Sequence, residues 1–147
     1  MALLQLFLCS CFVGVTLART EAEIKTWFFE QAVLCAKDFP ITEKEMLQLQ
    51  KHVIPDSKNA KCLLACVFQK TEWMDDKGMF IEENAVKLSE QEHPDEPDKV
   101  EKGKKLFDMC KKVNDETISV PDSHCERAAM LTKCLTENAP KMGFKIE

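Results

Sequence analysis

The apolar positions of this chain fall into two regimes. From Ala2 to Ala18 they form a nearly unbroken run without a charged side chain, with Gln5, Ser10 and Thr16 as its polar interruptions. After Arg19 they recur at helical spacing. A first helix is expected over about 21–37, with Ile24, Trp27, Phe28, Leu34 and Cys35 on one face. A second starts at Thr42, where Thr42 and Glu45 form a capping box, and turns Met46, Leu49 and Val53 inward. The third, about 58–73, has the clearest pattern: Ala60, Leu63, Leu64, Val67 and Phe68 follow i, i+3, i+4, i+7, i+8. A shorter fourth helix, about 82–91, carries Ala85 and Leu88. The fifth, about 98–113, uses Val100, Leu106, Phe107 and Cys110. The sixth, about 122–138, opens with a Ser123-to-Glu126 box and buries Ala128, Leu131 and Leu135.

Prolines 40, 55, 94, 97, 121 and 140 all fall between these periodic segments. Sustained period-two alternation and hairpin dipeptides are absent, so the expected class is all-α. The acidic stretch 90–97 reads as an exposed loop with His93 in solvent. The opening run ends in Thr16-Leu17-Ala18 and barely reaches membrane-spanning length. It reads as a secretory signal peptide over 1–18, leaving one domain over 19–147 and an extracellular location.

Removing the leader also changes the cysteine count. Of eight cysteines, Cys9 and Cys11 leave with it, and Cys35, Cys62, Cys66, Cys110, Cys125 and Cys134 remain. Six cysteines in a short secreted chain predict three disulfides. Cys125 and Cys134 lie about 13.5 Å apart along one helix, beyond disulfide reach. Cys62 and Cys66 point the same way one turn apart. Excluding both pairs leaves ten of the fifteen pairings open. A metal site from Cys62, Cys66, His124 and Cys125 is disfavoured, because secretion favours oxidised sulfur over thiolate; neither metal nor cofactor is expected. The net charge of −5 gives no basis for neutralising phosphates, which argues against a nucleic-acid partner.

The spacing Cys35-x26-Cys62-x3-Cys66-x43-Cys110-x14-Cys125-x8-Cys134 resembles the six-cysteine signature of the insect odorant-binding (pheromone-binding) protein family. The x3 and x8 intervals are its most specific parts. The x43 and x14 intervals lie toward its long side. The resemblance implies the pairing Cys35–Cys66, Cys62–Cys125 and Cys110–Cys134. It also implies about six helices around an internal apolar cavity, and carriage of odorants, pheromones or similar small hydrophobic molecules. A membrane odorant receptor is a further implied partner, with the carrier a monomer or weak homodimer. Combining helix faces with this pattern nominates Phe28, Leu49, Val53, Leu64, Phe68, Phe107, Leu131 and Leu135 as ligand contacts. Met74 and Phe80 flank the Gly78 turn and are expected to close one mouth. Thr71 and Thr132 are the candidates for polar discrimination.

Composition alone shows no pocket, although six methionines and seven phenylalanines follow the leader. Met adapts to irregular shapes and Phe supplies area. No enzyme is expected, since His52, His93 and His124 lie in no recognisable catalytic motif. The competing reading is a secreted helical signalling or defence protein acting through its surface, without a cavity. The tail after Pro140 is too short for a stable helix. Phe144 and Ile146 are expected to fold over the cavity mouth while Lys145 and Glu147 stay in water. Protonation between about pH 7 and 5 is expected to loosen this tail or the acidic loop.

Overall fold

The computed structural model describes residues 18–145. The proposed leader, all but Ala18, lies outside the described residues, as do Ile146 and Glu147. Six α-helices follow one another: α1 (Glu21–Cys35), α2 (Glu43–Gln50), α3 (Lys58–Lys70), α4 (Glu82–Glu92), α5 (Pro97–Cys110) and α6 (Ser123–Asn138). Short 3-10 turns span Lys111–Asp115 and Pro140–Met142. Among the described residues there is no strand, only an isolated bridge between Met74 and Phe80.

Local chemistry explains most helix starts. Thr20 and Thr42 each cap a helix in a reciprocal box with Glu23 and Glu45, and Ser57 caps α3. Pro97 opens α5, where its missing N–H costs nothing. The expected Ser123 box does not form. The residue preceding α6 is Asp122, and its carboxylate binds Lys58 at 2.6 Å instead of capping the helix. The α5 helix ends earlier than expected, tightening into the 3-10 turn that begins at Lys111.

At the centre α3 packs against α6 on one side and α1 on the other; α4 packs on α5, and α5 on α6. The bridges follow these contacts. Cys35–Cys66 joins the end of α1 to α3, Cys62–Cys125 joins α3 to α6, and Cys110–Cys134 joins α5 to α6. These are the pairs that the resemblance implies, one of the ten sets that helix geometry left open. Each contributes about 2–4 kcal/mol, chiefly by limiting the unfolded chain. Neither α2 nor α4 contains a cysteine.

Two polar side chains, one buried and one partly buried, hold the loops to this frame. Arg127 is buried on α6, and its guanidinium donates to the carbonyls of Val113 at 2.7 Å and Glu116 at 3.2 Å. A cation thus meets the negative end of the turn that continues α5. Asn114 donates to the Phe80 carbonyl and accepts from the Phe80 N–H, at 2.9 and 2.8 Å. The Gly78 turn lies so close to α6 that a Cβ there would sit 2.4 Å from His124 Cβ, and its φ is +77°. Only glycine fits this approach without strain.

Candidate ligand-binding site

A pocket of about 340 Å³ opens between α1, α4, α5, α6 and the tail. Its lining is mainly apolar: Ile24 and Phe28 from α1, Trp73 from the loop after α3, Ala85 and Leu88 from α4, and Leu106 and Phe107 from α5. Leu135, Ala139 and Phe144 complete it from the C-terminal side. Trp73 is the hub of the aromatic wall. It meets Phe107 edge-to-face at 5.3 Å and Phe28 at 5.8 Å, and stacks on Phe68 at 6.0 Å.

One edge of the pocket is polar, formed by Ser89, Glu92 and His93 of the α4 end. The Glu92 side chain is only 10% exposed. Both its oxygens are taken by Arg19: the backbone N–H donates to Oε2 at 2.9 Å and Nε to Oε1 at 2.7 Å, with a terminal guanidinium nitrogen also on Oε1. Arg19 in turn lies 4.5 Å over the Trp27 ring. Burial pushes the Glu92 carboxyl up, but the hydrogen bonds and charge of Arg19 more than offset it and leave it below its ordinary 4.5. His93 is not in solvent as expected. Its side chain is 15% exposed, with Nδ1 at 3.2 Å from Glu96 Oε1, because α4 runs to Glu92 and carries the ring into the wall.

A larger cleft of about 630 Å³ lies on the other side of the tail, between Glu21, the 95–99 segment and Lys102, and shares Phe144 and Lys145 with the apolar pocket. Its walls are charged, so an apolar guest there would strip water from ionised groups, which is costly. The smaller apolar pocket is therefore the candidate site.

Phe28, Phe107, Leu135 and Phe144 line this pocket, as nominated. The chain doubles back after the Pro140–Met142 turn through Gly143 at φ +86°, and the Phe144 N–H donates to the Ala139 carbonyl at 3.1 Å. The other nominees lie elsewhere. Phe68, Met74, Phe80 and Leu131 are buried in the main core, with Leu64 packed against it. The faces of α3 are covered by α1 and α6, and its apolar stripe is solid core. Leu49 packs with Cys35, Leu63 and Val67 in a second cluster. Val53 is 50% exposed, because α2 ends at Gln50 and His52, at φ 58°, turns the chain away. Leu34 is exposed as well. Thr71 and Thr132 spend their hydroxyls on carbonyls of their own helices and are not offered to a ligand.

The sulfurs of Cys62 and Cys125 and a ring nitrogen of His124 lie within 4.8 Å of one another. The two sulfurs are bonded to each other, so this cluster offers no thiolate to a metal.

Fold and site together define a disulfide-braced helical protein with a small apolar pocket open to solvent. The sequence matches the PBP/GOBP family over residues 18–138, and the chain belongs to that family. It is 30% identical over 136 residues to general odorant-binding protein 19d of Drosophila melanogaster, covering 92% of this chain and 87% of the relative. It is similar in structure to odorant-binding protein 28a of the same species, with a TM-score of 0.66 and 26% identity over 86% of this chain and 100% of the other. A pheromone-binding protein of the cockroach Leucophaea maderae, solved with the fluorescent reporter 1-anilinonaphthalene-8-sulfonic acid, shares the fold. Its TM-score is 0.61 at 20% identity, covering 80% of this chain and 97% of that one.

Proposed function

We propose that this protein is an extracellular carrier that holds small hydrophobic molecules in the pocket between α1, α4, α5 and α6. The supporting observation is the aromatic and aliphatic lining around Trp73 in a member of a family of odorant-binding proteins. Apolar walls of this kind accept apolar guests because the guest sheds its hydration without stranding a polar group. At about 340 Å³ the pocket is at the small end of the usual range of about 300–1,000 Å³, which favours volatile-sized molecules. Among the described residues no helix is long and apolar enough to cross a membrane. Secretion rests on residues 1–18 acting as a cleaved leader.

Displacement of a neutral fluorescent probe, N-phenyl-1-naphthylamine, tests this reading. Dissociation constants near 1 μM are expected for apolar volatiles, about −8 kcal/mol. Trp73 is in the wall and Trp27 lies beside Phe28, so occupancy should also alter tryptophan emission. A broad panel that moves neither signal would leave a surface-acting secreted protein as the better reading.

A further inference from the structure

The pocket wall contains five side chains with polar atoms; three of them are engaged or enclosed, and one lies at the rim. Glu92 is held by Arg19, and His93 faces Glu96. Trp73 Nε1 is buried without an acceptor, but it is so enclosed that no oxygen can approach it in this arrangement of the rings. Lys145 lies on the exposed tail at the rim. Ser89 is the fifth. A hydroxyl on a helix commonly bonds the carbonyl one turn earlier, as Thr71, Thr132 and Thr136 do here at 2.9–3.0 Å. Within the described residues Ser89 Oγ makes no such bond and no other hydrogen bond.

Across from it stands Gly103, buried in the middle of α5 with helical backbone. Nothing in that conformation calls for glycine, the least favourable helix residue after proline. A Cβ at this position would lie 3.1 Å from Ser89 Oγ and 3.6 Å from Phe107 Cε2. The missing Cβ lets the Ser89 hydroxyl and the Phe107 edge come close to the α5 backbone on the pocket wall.

We propose that Ser89 is the polar anchor of the pocket, and that the preferred ligand is an apolar molecule bearing one neutral oxygen, hydroxyl or carbonyl, which bonds Ser89 Oγ beside Gly103. The assignment rests on the carrier reading. A serine hydroxyl both donates and accepts, so an alcohol and a ketone are each served. Without such a guest, water serves the hydroxyl; an all-hydrocarbon guest would displace that water and strand it.

The test compares 1-decanol, 2-decanone and 1-chlorodecane as competitors of N-phenyl-1-naphthylamine. The native chain should prefer the two oxygenated molecules by about two- to twelve-fold, the worth of one net hydrogen bond. Ser89→Ala should abolish that preference, weakening the two oxygenated molecules and strengthening 1-chlorodecane, which no longer strands a hydroxyl. Gly103→Ala should weaken all three while the thermal midpoint stays level or rises, because only a rotatable hydroxyl must give way. A preference that survives Ser89→Ala but disappears in Lys145→Ala would place the head group at the rim and overturn the assignment. Equal binding of all three to the native chain overturns it too, and leaves the carrier reading standing. Failure of the probe and all three competitors to bind removes both.

Discussion

Leu131 and Leu135 sit one turn apart on α6 in opposite surroundings. Leu131 is fully enclosed in the main core, whereas Leu135 is half-buried on the pocket wall. Truncating either to alanine removes three carbons, worth about 2.4 kcal/mol if all were taken from water on folding. At Leu131 the enclosed void adds about 24 cal/mol per Å³, bringing the expected loss of stability to about 3–5 kcal/mol. At Leu135 burial is partial and the new space merges with space already open, so the expected loss is about 1–2 kcal/mol. Binding should divide the other way. Leu135→Ala should weaken apolar ligands by several-fold, up to about tenfold, whereas folded Leu131→Ala should bind as the native chain does. Urea unfolding with the bridges intact measures the first quantity, and probe displacement below the unfolding transition measures the second. Equal losses of stability, or a Leu135→Ala protein with native affinity, would refute the assignment of this wall.

The remaining predictions concern the frame around the pocket. Arg127→Met should cost about 2–3 kcal/mol, because the buried Val113 carbonyl loses a charged donor, and faster amide exchange over residues 111–116 should accompany it in mass spectrometry. Gly78→Ala should cost about 2–4 kcal/mol from collision with His124 plus positive φ; a neutral result in thermal unfolding would mean the turn does not dock there. Glu92→Gln should cost about 1–2 kcal/mol at pH 7, a figure discounted because Arg19 is a third exposed. The folded carboxyl lies below 4.5, so its contribution is complete above that value and is lost as pH falls through the lower folded value. The native-minus-variant difference in urea midpoint should therefore be flat from pH 7 to 5 and shrink only below 4.5; shrinkage already between 7 and 5 would refute the pairing. Amides of α4 should exchange faster than those of α3 and α6, and faster still at high salt, since Lys104–Glu90 and Lys111–Glu82 tie it to the α5 side at 2.8 and 2.7 Å.

Helix positions were legible in the sequence because burial imposes a spacing, and all six are found where the apolar residues recur. The pocket was legible only in part, for the same reason. The strongest apolar stripe, on α3, marks the helix covered on two sides, so Leu64 and Phe68 identify solid core rather than a wall. A pocket wall is half solvated, and its pattern is diluted: α4 shows Ala85 and Leu88 beside Ser89, Glu92 and His93, which reads as an ordinary surface helix. Trp73 follows the end of α3 and belongs to no periodic face, yet it contacts more of the aromatic wall than any helical residue. Two backbone events also leave no apolar signature. His52 at positive φ carries Val53 away from the core, and Lys58 draws the Asp122 carboxylate away from α6. The bridge pattern needed the family, because helix geometry excluded pairs without choosing among the rest.

The placement of the bridges explains why the pocket lies where it does. The three disulfides run in series, α1 to α3, α3 to α6 and α6 to α5, and fix four helices as one connected frame. The side chains between α3 and its neighbours are correspondingly close-packed. On the α4 side there is no covalent tie, and α4 contributes four of the lining residues, with His93 directly after it. It is held by its packing on α5, two partly exposed ion pairs and the Arg19–Glu92 contact, each worth far less than a bridge. A guest larger than the open pocket would need one of its walls to give, and opening any of the bridged walls would strain a covalent loop. Moving α4 relative to α5 costs only ion pairs and part of an apolar contact that the guest itself replaces. Stability supplied by the bridges is thus kept apart from the contacts that must yield, and the chain can carry an unfilled pocket beside its core without the core sharing its looseness.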